Sequence, residues 1–187
     1  QRRIGWQRRL TQVMISETSS VGRTELARAK INLALHVIGR RDDGYHLLDS
    51  LVVFPDIGDT LSIEPAPEFT LEIDGPFAAP LAWDTPDNLV AKAVLGFANA
   101  AGIGSNVRLR LTKKLPVASG IGGGSADAAA AIRLMAEISG KTLSAKQMDK
   151  LALSLGADVP VCLQQKPARM SGIGEIIHPA PTMPEAG

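Results

Sequence analysis

Four glycines crowd into five residues, at Gly120, Gly122, Gly123 and Gly124, between a segment alternating apolar and basic residues and a run rich in alanine. Such density is costly in conformational entropy, so it belongs where the backbone turns sharply or comes close to another group. The flanks say which elements it joins. Residues 106–112 put Val107, Leu109 and Leu111 on one side and Arg108 and Arg110 on the other, the period of a strand. Residues 126–139 are Ala-rich and are stopped by Gly140, which predicts a helix. The frame is strand, glycine loop, helix.

In that frame the loop is an anion site. The first N–H groups of a helix have no intrahelical partner and lie at the positive end of its dipole. Phosphate is the usual occupant of such a place. Ser125 is placed either to cap the helix or to offer a hydroxyl to a phosphate-bound Mg²⁺. A Walker A loop is excluded because no lysine follows the glycines, and a dinucleotide fingerprint because Ser125 stands where the third glycine belongs.

Elsewhere strands come first and helices later. Residues 30–37 alternate, with Ile31, Leu33, Leu35 and Val37 on one face and Lys30, Asn32, Ala34 and His36 on the other, which predicts a half-buried strand. A turn at 39–44 leads into Tyr45, His46 and a second strand through Phe54. Short strands follow at 60–64 and 69–73, then a Pro-rich loop at 75–86. Asp87 is placed to cap a helix over 88–101, with Val90, Val94, Phe97 and Ala101 in one stripe and Gly102 as its stop. Ser144 and Gln147 have capping-box spacing for a further helix, closed by Gly156. Beyond it, 157–187 reads as short extended pieces broken by Gly and Pro. This grouping favours an α+β fold over a regular βαβ array.

Composition removes several function classes. With 45% hydrophobic and 21% charged residues, the chain suits a soluble domain. No stretch approaches the ~18 apolar residues of a membrane span, so no membrane role is expected. The net charge of +1 is uneven: residues 1–23 hold five arginines against Glu17, a local +4, and 1 − 4 leaves −3 for the rest. A slightly acidic body with one Tyr, two Trp and four Phe lacks the basic face and stacking platform of a nucleic-acid binder. The arm 1–23 has no apolar periodicity and is expected to be disordered or a non-native extension, with Met14 as a candidate start and the domain at 24–187. Cys162 is the only cysteine, so no intrachain disulfide forms, in keeping with a reducing, cytoplasmic setting. Its apolar neighbours make it a buried hydrophobe rather than a nucleophile, and His36, His46 and His178 show no metal-ligand spacing.

The motif PVASGIGGGSA at 116–126 resembles the central motif of the GHMP kinases, a superfamily of ATP-dependent small-molecule kinases. AKINL at 29–33, DGYHL at 43–47, LGADVPV at 155–161 and GIGE at 172–175 are similar to the branch acting on a cytidine diphosphate ester of methylerythritol. The match runs from about residue 27 to 175; Ile121 and Ala126 depart from the Leu and second Ser that are usual. The resemblance implies a two-layer α+β domain with a left-handed βαβ unit, against the general handedness rule. It implies that ATP and Mg²⁺ are held by Pro116, Val117, Ala118, Ser119, Gly120, Ile121, Gly122, Gly123, Gly124, Ser125 and Ala126. Ser125 would face the metal, and Asn88 and Lys113 would flank the adenine.

By the same resemblance Asp158 is the base that accepts the hydroxyl proton, and Lys30 orients it and stabilises charge. Asn32, Tyr45 and His46 would bind the cytidine diphosphate substrate, with Tyr45 stacked on the cytosine. The residues alone leave plainer accounts open. Asp158 before Pro160 suits a turn, Lys30 a solvated strand face, Asn88 a helix start, and Lys113 an ordinary surface position. Two rivals stand beside this reading. A homoserine- or mevalonate-type kinase would keep the loop and Lys30 without the Tyr45–His46 pair, and a non-catalytic fragment would bind nucleotide only. The family continues into a C-terminal domain that nothing after Glu175 resembles. The expectation is a chain lacking it, with exposed apolar surface through which copies associate.

Overall fold

The computed structural model describes residues 22–79, 88–116 and 120–181. Along the described chain run β1 (Arg23–Arg28), β2 (Ile31–Arg40), β3 (His46–Val53), β4 (Gly58–Pro65), β5 (Thr70–Asp74), α1 (Leu89–Ala101), β6 (Val107–Thr112), α2 (Gly123–Ser139), α3 (Ala145–Leu155), α4 (Val159–Gln164), β7 (Ala168–Gly172) and β8 (Ile176–Pro179). They form two four-stranded sheets, ordered β1-β4-β6-β5 and β2-β3-β7-β8. Pairing is antiparallel except between β5 and β6, which run parallel and are joined through α1. Strands and helices pack as the α+β pattern requires.

The core sits between the first sheet and α1 and α2. Leu61, Ile63, Leu109 and Leu111 face Val90, Val94, Phe97, Ile132, Leu134 and Met135, all at most 1% exposed. Alanines 126 and 128–131 are buried with them, and their small side chains let α2 lie close to its neighbours. Arg108 and Arg110 point outward as the alternation requires and pair with Glu64 and Glu72. Replacing Phe97 by Ala should cost about 3–5 kcal/mol, because the whole ring is buried and the helix cannot collapse into the void. Urea denaturation measures it; a loss below about 1 kcal/mol would contradict this packing.

Local capping follows the expected rules where it is described. Asn88 caps α1, its Oδ1 accepting from the Val90 N–H at 2.8 Å, whereas Asp87 lies outside the described residues. Ser144 and Gln147 form both halves of a capping box at the start of α3. Three expectations are corrected. The segment after Ala157 is not all extended: Val159–Gln164 is a helix, because Pro160 falls in its first turn, where a missing N–H costs nothing. Arg23 belongs to the first sheet as the start of β1, paired opposite Ile63, and not to the arm.

The third correction concerns β2. Its alternation is interrupted by register shifts between Asn32 and Ala34 and between Val37 and Gly39. The expected inward face is also open, with Leu33, Leu35 and Val37 exposed by 53%, 52% and 61%. β2 is an edge strand, so one flank of its backbone is unpaired. No helix among the described residues is long and apolar enough to cross a membrane.

Candidate active site

Gly122, with φ of 67°, is the cap residue of α2, so the helix begins at Gly123, three residues earlier than expected. Ser125 therefore lies inside the first turn and does not cap it. The Ala126 N–H donates to the Gly122 carbonyl at 2.8 Å as the first intrahelical bond. The amides of Gly123, Gly124 and Ser125 are left without helical partners, facing outward at the positive end of the dipole. The start of α1 adjoins this turn: a Cβ built on Gly124 would stand 3.4 Å from Leu89 Cδ1. Val117, Ala118 and Ser119 lie outside the described residues.

Lys30 runs beneath this turn. It sits in the bend between β1 and β2, only 5% exposed, which excludes the solvated strand face. Its N–H donates to the Ile121 carbonyl at 3.0 Å, and a Cβ on Gly122 would stand 3.1 Å from Lys30 Cβ. The loop and the lysine are thus laced together. Lys30 Nζ reaches Asp158 Oδ1 at 3.0 Å. Asp158 occupies the turn before α4, but its carboxylate makes no cap bond there and pairs with Lys30 instead. A Cβ on Gly156 would lie 3.8 Å from Ser125 Oγ, which sets that hydroxyl against the same turn. Lys30, Asp158, Ser125 and the α2 amides form one cluster.

Asn32 adjoins it, with Oδ1 accepting from Ser50 Oγ at 2.9 Å. Ser50, only 5% exposed, fixes the amide's orientation and leaves its NH₂ free to donate outward. Tyr45 and His46 are not brought beside Lys30. They lie at the far end of the β2–β3 hairpin, where His46 pairs with Arg40, while Asn32 pairs with Val52. The six residue steps from His46 to Val52 span roughly 20 Å at strand rise. Tyr45 is 60% exposed and held by its turn, Arg41 N–H donating to its carbonyl at 2.8 Å.

Lys113 corrects the plainer of its two accounts. It is 2% exposed and so not a surface lysine. Its Nζ binds Asp59 and, at 2.7 Å, Asp127; its N–H donates to the Asp74 carbonyl and its own carbonyl accepts from Phe77. Burial alone would lower the Lys113 pKa, but the two carboxylates outweigh it and the net shift is upward. Burial, together with the charge of Asp59, pushes Asp127 up to about 7 against the pull of Lys113. Asn88 serves as a helix cap, its plainer role. Cys162 is buried beside Asp158, and burial, helped by that carboxylate, pushes its thiol up to about 12, so it is no nucleophile at neutral pH.

Ser50, Asp59 and Asp127 were not picked out from sequence. Nothing local marks them: Asp59 closes a turn and Asp127 sits in an Ala-rich helix, and their partners are 54 and 14 residues away. The one available signal was the acid at Asp127 in an otherwise Ala-rich run.

Comparison with known proteins bears on this geometry. Residues 88–166 match the family model described as the GHMP kinases N terminal domain. The chain is 55% identical over 162 residues to the 4-diphosphocytidyl-2-C-methyl-D-erythritol kinase of Paramagnetospirillum magneticum, covering 86% of this chain and 55% of that protein. It is 57% identical over 158 residues to the kinase of the same name from Ruegeria pomeroyi, covering 84% and 54%. A crystal structure of 4-(cytidine 5'-diphospho)-2C-methyl-D-erythritol kinase superposes with a TM-score of 0.71 at 35% identity, covering 84% of this chain and 55% of that one. Homoserine kinase from Cytophaga hutchinsonii, at TM-score 0.65 and 18% identity over 89% and 53%, shares the fold. The chain spans about half the length of the curated relatives it matches.

Proposed function

Since this chain belongs to the GHMP kinases through their N-terminal domain, we propose that it binds ATP at the α2 turn and passes the γ-phosphate to the 2-hydroxyl of 4-diphosphocytidyl-2-C-methyl-D-erythritol, in non-mevalonate isoprenoid precursor synthesis. One observation carries the reading: a Lys–Asp pair at 3.0 Å beside a helix N-terminus whose first three amides have no partner within the helix. The names of the relatives support the choice of substrate.

Phosphoryl transfer asks a protein for positioning and charge stabilisation more than for covalent chemistry. The α2 amides cradle the phosphates. Asp158, its side chain 37% exposed, keeps an oxygen open to accept the hydroxyl proton, while Lys30 orients it and faces the developing negative charge. Asn32, oriented by Ser50, donates to the methylerythritol portion. Tyr45 and His46 take the cytosine, and their separation of roughly 20 Å from Asn32 along the hairpin suits an acceptor stretched out by its diphosphate.

Ser125 and the nucleotide's own phosphate oxygens would hold Mg²⁺, whose charge would offset that on the transferred group. Among the described residues no group of three or more His, Cys, Asp or Glu could hold a metal ion. Isothermal titration with Mg·ATP and with the cytidine substrate tests the reading. Binding of both, with ADP released when they are mixed, is the expected result. Nucleotide binding without substrate binding would favour the non-catalytic fragment, and binding of neither would end the proposal.

A further inference from the structure

We propose that Asp59 is a positioning residue for nucleotide binding, holding both ends of the phosphate loop in place through one buried charge network. This rests on the phosphate-loop reading above. Asp59 is fully buried at the start of β4. The last paired residues of β4 and β6 are Thr60 and Thr112; one step beyond, the side chain of Asp59 takes over from the backbone ladder. Its Oδ1 accepts from the Lys114 N–H at 2.5 Å and the Leu115 N–H at 2.8 Å, and its Oδ2 accepts from Lys113 Nζ. These three donors are consecutive residues on the chain's way into the loop. Lys113 then crosses to Asp127 Oδ2 at 2.7 Å, and Asp127 lies in the second turn of α2, on the loop's far side.

The network lies directly under the anion site. A Cβ on Gly123, the first residue of α2, would stand 3.6 Å from Lys113 Nζ and 3.8 Å from Asp59 Oδ2. Filling this space does not require charge. Buried ion networks carry a heavy desolvation cost, and apolar side chains of similar volume are often equally stable in their place. What apolar side chains cannot do is accept two backbone N–H groups and aim the chain that carries them. Preorganisation of the loop amides is the function such a network supplies.

Two variants separate positioning from stability. Asp59→Asn keeps the shape but turns a donor toward the ammonium or the amides. The triple variant Asp59→Leu, Lys113→Met, Asp127→Leu removes every charge together. Each should weaken Mg·ATP binding about tenfold or more in calorimetry, with affinity for the cytidine substrate unchanged, since the hairpin site does not touch the network. The triple variant should still unfold cooperatively, at a lower temperature than the parent because the Lys114 and Leu115 N–H groups lose their acceptor. Unaltered Mg·ATP affinity in a folded variant would overturn the inference. So would equal losses for both ligands, or failure of both variants to fold, since each describes a merely structural network. If the parent protein binds no Mg·ATP, the kinase reading falls and this inference falls with it; parent binding with unaffected variants removes only this inference.

Discussion

Asp158→Asn should lower phosphoryl transfer by about 10²–10⁴-fold, the range for loss of a general base. The substitution keeps the side chain's shape and one oxygen that can still accept from Lys30 Nζ, now 3.0 Å from Oδ1. Lys30, at 5% exposure, would lose its counter-charge but keep a hydrogen bond, so the stability loss should be roughly 1–3 kcal/mol. Rate and stability are thereby separated. An initial-rate assay for ADP, run beside urea denaturation of the same protein, reads both. Turnover within about threefold of the parent would show that the acceptor hydroxyl gives up its proton without Asp158, and the base assignment would fail.

The second large effect falls on the loop. Gly122 has a φ of 67°, in the left-handed region, and an added Cβ would lie 3.1 Å from Lys30 Cβ and 3.4 Å from its Cε. Gly122→Ala should therefore cost about 1–2 kcal/mol in backbone strain and also displace the lysine that pairs with Asp158. Mg·ATP affinity should drop by about tenfold or more, because the cap residue aims the following amides. Gly124→Ala is the instructive contrast. That residue already lies in the helix and is exposed, so alanine should hold or raise stability by up to about 1 kcal/mol. A phosphate seated against its amide would nonetheless meet the new methyl. Thermal unfolding with calorimetry on both variants decides, and parental Mg·ATP affinity in Gly122→Ala would refute the loop's role.

The two experiments concern residues of unequal legibility in the bare sequence, and the reason is instructive. Gly122 announces itself because a dense glycine cluster between a strand pattern and a helix pattern has few local explanations. Asp158 does not: from spacing alone it is a turn residue before Pro160, and only the resemblance to a kinase family singled it out. Its pairing with Lys30 bridges 128 positions of the chain, from the bend after β1 to the turn before α4. Asp59 and Ser50 escaped for the same reason, each being defined by a partner on a distant segment of the chain. That Lys113 is the centre of a buried charge network is equally hidden, because exposure cannot be read from a lysine's neighbours in sequence.

Local hydrogen bonding is the common factor among the features the chain's order alone determined. The cap at Ser144, the strand faces of β6 and the stripe of α1 all depend on residues at most four apart, so the pattern is complete within a short window. Burial is different in kind. Whether Leu35 is buried or exposed, whether Val159–Gln164 closes into a helix, and which charges lose their water depend on chain segments arriving from far away. Desolvation is a property of a place in space, and only tertiary packing decided who occupies it.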